Sequence, residues 1–328
     1  MIQIKNLSIG YKQERKNLVL SENINFDLSS GEILSIMGPN GCGKSTFLKT
    51  LSGLLSPLGG HIIIKGKTLK NYTPKELSQK MSLVLTQRPP LQNFTVKEVI
   101  SLGRYPYTSF WGTLKKEDHH IIEQTISLLE LGTLANKTFE ELSDGQKQKV
   151  FIARSVVQDT PLILLDEPTS FLDIPRKNEF FNLLLKLSKE KKKTIIFSSH
   201  DWDLSLKYSH SLLFFGKGKK VIKATPEDFL LSREHYNLLN EEKFLTKNAN
   251  TKDPLIQEHM LKIEDPQENQ LVSQALHKRG HFIFKNGVEI IKEKNKEFVL
   301  SYKHTVLERT PTLSNLFEKL EEYKLFIS

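Results

Sequence analysis

The sequence predicts an α/β fold, and three observations carry that expectation. Short, wholly apolar runs, LILL at residues 162–165 and TIIFS at 194–198, have the form of strands buried on both faces of a parallel sheet. Segments with helical spacing of apolar residues separate them, which implies βαβ crossovers. Between EILSIMG and FLKTLSGLL, strand periodicity switches to helix at a glycine-rich turn, GPNGCGKST, residues 38–46.

Taken in chain order, IQIKNLSIG, NINFDL, EILSIMG and HIIIKG read as strands. From about residue 95 to 160 the pattern turns helical, which inserts a helical region into the α/β core. EDHHIIEQTISLLELG has apolar residues at helical spacing, with Gly132 placed to cap its C-terminus. GQKQKVFIARSVVQ starts another helix after a polar turn. Residues 246–270 are polar, carry two prolines and have weak periodicity, so a linker is expected there. Beyond it, HFIFKNGVEIIKE reads as a hairpin turning at Asn286-Gly287. EFVLSYKHTVLE follows as a third strand and TLSNLFEKLEEY as an amphipathic helix. The expected domains are therefore 1–245 and a small α+β extension, 271–328.

The 328 residues are 38% hydrophobic, enough for a sizeable core in one large domain or two ordinary ones. No run approaches the ~20 apolar residues of a membrane-spanning helix. The N-terminal stretch MIQIKNLSIGYKQERKN lacks the long apolar segment of a signal peptide. One cysteine, Cys42, excludes an internal disulfide and suits a reducing compartment. A soluble cytoplasmic protein is expected. The net charge is +9, and the 13 Lys/Arg and 12 Asp/Glu after residue 245 nearly cancel, so the excess lies before it. Lysine-rich runs such as KEKKK (189–193) read as solvated surface, because no tight basic cluster with interleaved aromatics marks a nucleic-acid face.

The chemistry begins at Gly38, Pro39, Asn40, Gly41, Cys42, Gly43, Lys44 and Ser45, a complete GxxxxGK[ST] phosphate-binding loop. Glycines let the backbone wrap phosphate oxygens with its amide hydrogens pointing inward, and the following helix adds its positive end. Lys44 is expected to reach the β- and γ-phosphates, Ser45 to ligate Mg²⁺, and Thr46 to meet the α-phosphate side. Cys42, just ahead of a helix N-terminus, is expected to have a lowered thiol pKa and to react with maleimide, with MgATP protecting. After the run 162–165, Asp166 and Glu167 stand at the strand end that faces the ligand crevice. Asp166 is expected to hold Mg²⁺ through its water shell and Glu167 to polarise an attacking water. Two acids at a strand end are commonly just solvated; the phosphate loop upstream gives this pair its meaning.

With Leu142-Ser143-Asp144-Gly145-Gln146 added, the chain resembles the ATP-binding-cassette (ABC) superfamily over residues 1 to about 245. LSDGQ looks like that family's LSGGQ signature, which is more specific than a phosphate loop. The resemblance implies a P-loop NTPase core with an antiparallel β subdomain and a helical subdomain, binding ATP and Mg²⁺ and hydrolysing the nucleotide. It implies a homodimer in which Ser143 and Gly145, with Gln146 beside them, contact the nucleotide held by the partner's Lys44. Gln87 in LVLTQRPP matches the Q-loop glutamine that watches Mg²⁺ and couples to the transporter. His200 in FSSHD matches the switch histidine at the γ-phosphate, and Asp173 in SFLD the D-loop aspartate. Tyr11 matches the aromatic that stacks on adenine.

Within the superfamily, SLGRYPYTSFWG (101–112), QDTPLILLDEPTSFLDIPRKNE (158–179) and HDWDLSLKYSH (200–210) look most like importer ATPases for iron–siderophore complexes, haem or cobalamin. Such a subunit works as a peripheral protein on the inner face of the cell membrane. It docks on a two-fold integral membrane permease fed by an external substrate-binding protein, with no nucleic-acid partner. The alternatives within the resemblance are the ATPase of an exporter and a soluble relative acting on nucleic acid or ribosomes. Two positions depart from the common pattern. Asp144 stands where the signature usually has Gly; an acid there favours the helix by ~0.3–1 kcal/mol and weakens its pull on anions similarly. Cys42 stands where Ser or Ala is more usual. Residues 246–328 have no counterpart in the resemblance.

Overall fold

The computed structural model describes residues 1–14, 16–86, 91–109, 111–216, 220–231, 261–263, 272, 283–284, 288–292, 297–302, 305–323 and 326–327. The chain divides into two compact units, Met1–Lys223 and Ala224–Ser328. The boundary expected at residues 245/246 falls outside the described residues.

In the first unit, β1 (Ile2–Tyr11), β2 (Leu18–Leu28), β4 (Gly59–Ile64) and β5 (Lys67–Thr68) form an antiparallel sheet in the order β2-β1-β4-β5. A second sheet contains β3 (Ile33–Met37), β6 (Met81–Val84), β7 (Leu162–Leu165), β8 (Thr194–Ser198), β9 (Ser211–Phe215) and β10 (Val221–Ala224), ordered β10-β9-β3-β8-β7-β6. Its β9-β3-β8-β7-β6 portion is parallel, as the apolar runs require.

Side-chain alternation in the parallel strands builds two cores. Ile33, Ile163, Leu165, Ile195 and Phe197 join one that also takes in α3 (Val96–Ser101), α4 (Lys116–Leu128), α5 (Asp144–Val157) and α6 (Ile174–Lys191). Leu34, Ile36, Leu162, Leu164 and Ile196 join the other, with β1, β2, β4 and α1 (Lys44–Leu51). Each such buried side chain contributes about 1.5–3 kcal/mol relative to exposure. Two short helices complete the unit, α2 (Pro74–Ser78) and α7 (Trp202–Tyr208).

The second unit starts with α8 (Pro226–Leu231) and has a four-stranded sheet ordered β11-β13-β14-β15. Its strands are Leu261–Lys262, Val288–Lys292, Phe298–Tyr302 and Thr305–Thr310. Phe229, Ile290, Val299, Leu300 and, from α9 (Leu313–Glu322), Leu313, Leu316 and Leu320 are buried. Asp228 Oδ1 accepts a bond from the Leu313 amide at 2.9 Å, so α8 caps the start of α9.

Four local expectations change. The left-handed residue after α4 is Glu130 (φ 51°); Gly132 instead begins a 3₁₀ turn. The turn Asn286-Gly287 lies outside the described residues, but the runs beside it pair elsewhere. Ile283–Phe284 (β12) pairs with Phe326–Ile327 (β16), while β13 finds a five-residue antiparallel partner in β14. EFVLSYKHTVLE is two strands, β14 and β15, folded against each other. Within the stretch read as a linker, Leu261–Lys262 pairs in parallel with Ile290–Ile291, and Ile263 is buried.

Candidate nucleotide site

The glycine-rich turn joins β3 to α1, and its backbone requires glycine at both ends. Gly38 has φ 143°, and a Cβ there would lie 2.5 Å from the Phe215 carbonyl oxygen. Gly43, the residue before α1, has φ 109°. Pro39, Asn40 and Gly41 form the exposed crest. The Lys44 side chain is buried and folds back along the loop, donating to the carbonyls of Gly38 (2.8 Å) and Pro39 (3.0 Å). An ammonium held against a glycine-rich loop that opens into a helix N-terminus makes this loop a seat for phosphate. Tyr11, at the end of β1, is partly exposed, and its hydroxyl is hydrogen-bonded to Thr46 Oγ1 at 3.1 Å. Cys42 corrects the expectation of an activated thiol. Burial pushes its pKa up and outweighs the nearby Lys44 charge and the loop amides.

The acid pair follows β7 directly. Asp166 is buried, and its Oδ1 accepts from Ser45 Oγ (3.0 Å) and Ser198 Oγ (2.7 Å). Its main chain is fixed as well: the amide donates to Val84 O, and Thr86 Oγ1 donates to its carbonyl. Glu167 takes a left-handed backbone, φ 48°, a conformation that costs a non-glycine residue about 1–3 kcal/mol. Its amide donates to Ser198 Oγ (2.9 Å), and Ser170 Oγ donates to its carbonyl (3.0 Å) and lies 3.2 Å from Oε2. Its Oε1 lies 2.7 Å from His200 Nε2. Strands β7 and β8 are neighbours in the sheet, so residues leaving their C-terminal ends meet. Ser45 and Asp166 offer hard oxygen donors side by side, which suits Mg²⁺, an ion that takes one or two protein oxygens and fills its shell with phosphate and water. Among the described residues no group of three or more His, Cys, Asp or Glu stands together, so they hold no all-protein cage.

The signature segment is a helix start. Ser143 caps α5 in a reciprocal box: its Oγ accepts from the Gln146 amide, and Gln146 Oε1 accepts from the Ser143 amide. Gly145 packs against the segment before α6, where a Cβ would sit 3.2 Å from Phe171 O. Asp173 caps α6, accepting from the Arg176 amide at 3.0 Å. Gln87 lies outside the described residues. The GRYP stretch has its own physical reason. At Gly103 a Cβ would lie 2.3 Å from Arg154 O, so only glycine lets this turn touch α5. Arg104 is buried, donating to Asp118 Oδ1 (2.8 Å) and Val157 O (3.1 Å). It thereby ties together the turn, the first turn of α4 and the end of α5. Burial raises the Asp118 pKa, but the Lys115 amide and Arg104 outweigh it and leave the carboxyl below its ordinary value.

Comparison with known proteins decides the family. A profile described as ABC transporter matches residues 21–170. An ABC transporter ATP-binding protein of Methanocaldococcus jannaschii is 40% identical over 250 residues, 76% of this chain and 83% of its own length. The chain belongs to the ABC ATPase family. It binds ATP and hydrolyses it, on the P-loop NTPase fold. The iron(3+)-hydroxamate import ATP-binding protein FhuC of Bacillus subtilis is 36% identical, covering 68% of this chain and 82% of that one. Among solved structures, an inward-facing ABC transporter assigned to the metal-chelate type has a TM-score of 0.63 at 28% identity, covering 73% of this chain and 88% of that one. A dimeric ATP-binding cassette in a post-hydrolysis state, with ADP and phosphate, has a TM-score of 0.62 at 28% identity over 69% of this chain and 99% of that one.

Against this family, the structure brings Ser45, Asp166, Glu167 and His200 into one hydrogen-bonded group and places Tyr11 beside Thr46. Three residues in the group carried no signal in the sequence: Thr86, Ser170 and Ser198. A hydroxyl at a strand end is too common to single out before the strands are aligned.

Proposed function

We propose that this chain is the ATPase subunit of an importer for iron–siderophore or related metal chelates. In this reading two copies close around MgATP, each supplying Lys44 to one nucleotide and Ser143, Gly145 and Gln146 to the other. Lys44 and the loop amides hold the phosphates, and Glu167 polarises the attacking water while His200 holds the γ-phosphate side. Ser45 and Asp166 would hold Mg²⁺, which would supply positive charge against the phosphates. Tyr11 supports adenine, and Asp173 and Gln87 serve as D-loop and Q-loop residues. The observation that carries the catalytic reading is the 2.7 Å approach of His200 to Glu167, next to an aspartate already bonded to the phosphate-loop serine.

The cargo class is supported by relatives named for siderophore transport in Bacillus subtilis and ferric enterobactin transport in Escherichia coli. No helix among the described residues is long and apolar enough to cross a membrane. In the proposed reading the subunit docks on the cytoplasmic face of a separate membrane permease. Exposed Phe94, Leu102, Tyr105 and Trp111, close together in sequence, suit such a partner. An external binding protein would deliver the cargo. Residues 246–328 are proposed to modulate the dimer. The test is co-purification of the chain with a membrane permease, followed by reconstitution in vesicles. ATP-dependent uptake of a ferric siderophore supports the reading. Uptake of neither ferric siderophore, haem nor cobalamin by an ATP-hydrolysing complex removes the cargo assignment.

A further inference from the structure

We propose that Ser198 is the positioning residue of the acid pair: its hydroxyl ties the Asp166 carboxylate to the Glu167 backbone and so fixes where the Glu167 carboxylate points. This rests on the roles given to Asp166 and Glu167 above. Ser198 is the last residue of β8, which lies between β3 and β7, and it is fully buried. A hydroxyl in that place must satisfy itself within the protein. The directions are fixed by chemistry, because an ionised carboxylate only accepts and a backbone N–H only donates. The Ser198 proton therefore goes to Asp166 Oδ1 (2.7 Å), and its lone pair receives the Glu167 amide (2.9 Å).

The same Oδ1 accepts from Ser45, so a continuous path runs from the phosphate loop through Asp166 and Ser198 to the Glu167 main chain. Glu167 is the link that needs holding, since its left-handed backbone is unfavourable for a glutamate. The strand that supplies Ser198 also supplies His200 two residues later, which meets the Glu167 carboxylate. One strand end thus fixes both the backbone and the tip of the same residue. Without the hydroxyl, the Glu167 amide loses its acceptor and Asp166 loses a donor.

Threonine and valine have the same shape and differ in this hydroxyl, so Ser198→Thr and Ser198→Val form the test pair in the full-length chain. Ser198→Ala serves as a third variant should the extra methyl crowd the strand. MgATP turnover, binding of a fluorescent ATP analogue and the thermal midpoint are measured, alone and combined with Glu167→Gln. The expected result is a kcat loss of about 10- to 100-fold for Val and Ala, as for a misplaced reacting group, with analogue binding held within about 2-fold. Thr retains most of the rate, and Ser198→Ala adds little to the loss already caused by Glu167→Gln. Wild-type kcat in the Val and Ala variants, with Glu167→Gln inactive, overturns the proposal. Losses that multiply in the double variant, or equal losses in Thr and Val, reduce Ser198 to a packing residue and also overturn it. Wild-type turnover by Glu167→Gln overturns the catalytic reading beneath it.

Discussion

His200 Nε2 lies 2.7 Å from Glu167 Oε1, joining the residues that leave two neighbouring parallel strands. The pairing gives the histidine a defined direction toward the site even though its side chain is part-exposed. Replacing His200 with Ala is expected to lower turnover by about 10²-fold or more while leaving nucleotide binding in place. Steady-state hydrolysis alongside analogue titration separates the two effects.

Lys44 is expected to act in binding. Its ammonium already lies against the loop carbonyls of Gly38 and Pro39 and needs only to turn to meet phosphate. Lys44→Ala is expected to weaken ATP binding by about 10- to 100-fold, the worth of a charge-assisted hydrogen bond. Equilibrium titration with a fluorescent ATP analogue measures this.

Cys42 is expected to be a slow thiol. Burial holds its pKa above the ordinary value, so the thiolate fraction at neutral pH is small and grows only as pH rises. Maleimide labelling rates are expected to climb steadily from pH 7 to pH 9. Fast labelling that is already level at pH 7 contradicts this environment.

The β7 and β8 apolar runs, the glycine turn and the helix opened by the signature were legible in the sequence because each is a local pattern: period, glycine placement, a polar turn before an apolar-periodic run. The hydroxyls around the acid pair were not. Ser198 and Thr86 gain meaning only when β6, β7 and β8 are in register, which brings Thr86 to Asp166 and Ser198 to Glu167. Cys42 was misread for the opposite reason. A local rule about helix N-termini lost to the burial supplied by the surrounding fold. In the second unit the Asn-Gly signal was outweighed by longer pairings, β13 with β14 and β14 with β15.

Arg104 is expected to hold the helical region together. Arg104→Met leaves Asp118 without its charge partner but with the Lys115 amide, so a cost of about 3 kcal/mol, the low end for a buried pair, is expected in urea denaturation. The pH dependence has a definite sign. The folded Asp118 pKa is depressed below 3.8, so its stabilising contribution is complete above that value and is lost as pH falls through the folded pKa. The gap between wild type and Arg104→Met is therefore expected to be widest near neutrality and to narrow in acid.

A chain ending at Lys223, the limit of the first unit, is expected to bind ATP within about 2-fold of the full chain, as a unit with its own core does. The cut falls before Asp228, which is bonded to Leu313 within the second unit. Sedimentation and basal hydrolysis then report whether the extension modulates the dimer. Equal dimer affinity and equal basal rate make it a passive appendage.

The most direct test of the account is Glu167→Gln, which keeps size and shape but removes the carboxylate that faces His200. Hydrolysis of radiolabelled ATP is expected to fall by about 10²–10⁴-fold while binding persists, so the protein elutes from gel filtration as an ATP-bound dimer. Turnover close to wild type, or a variant that stays monomeric with saturating ATP, contradicts the site and the dimer built around it.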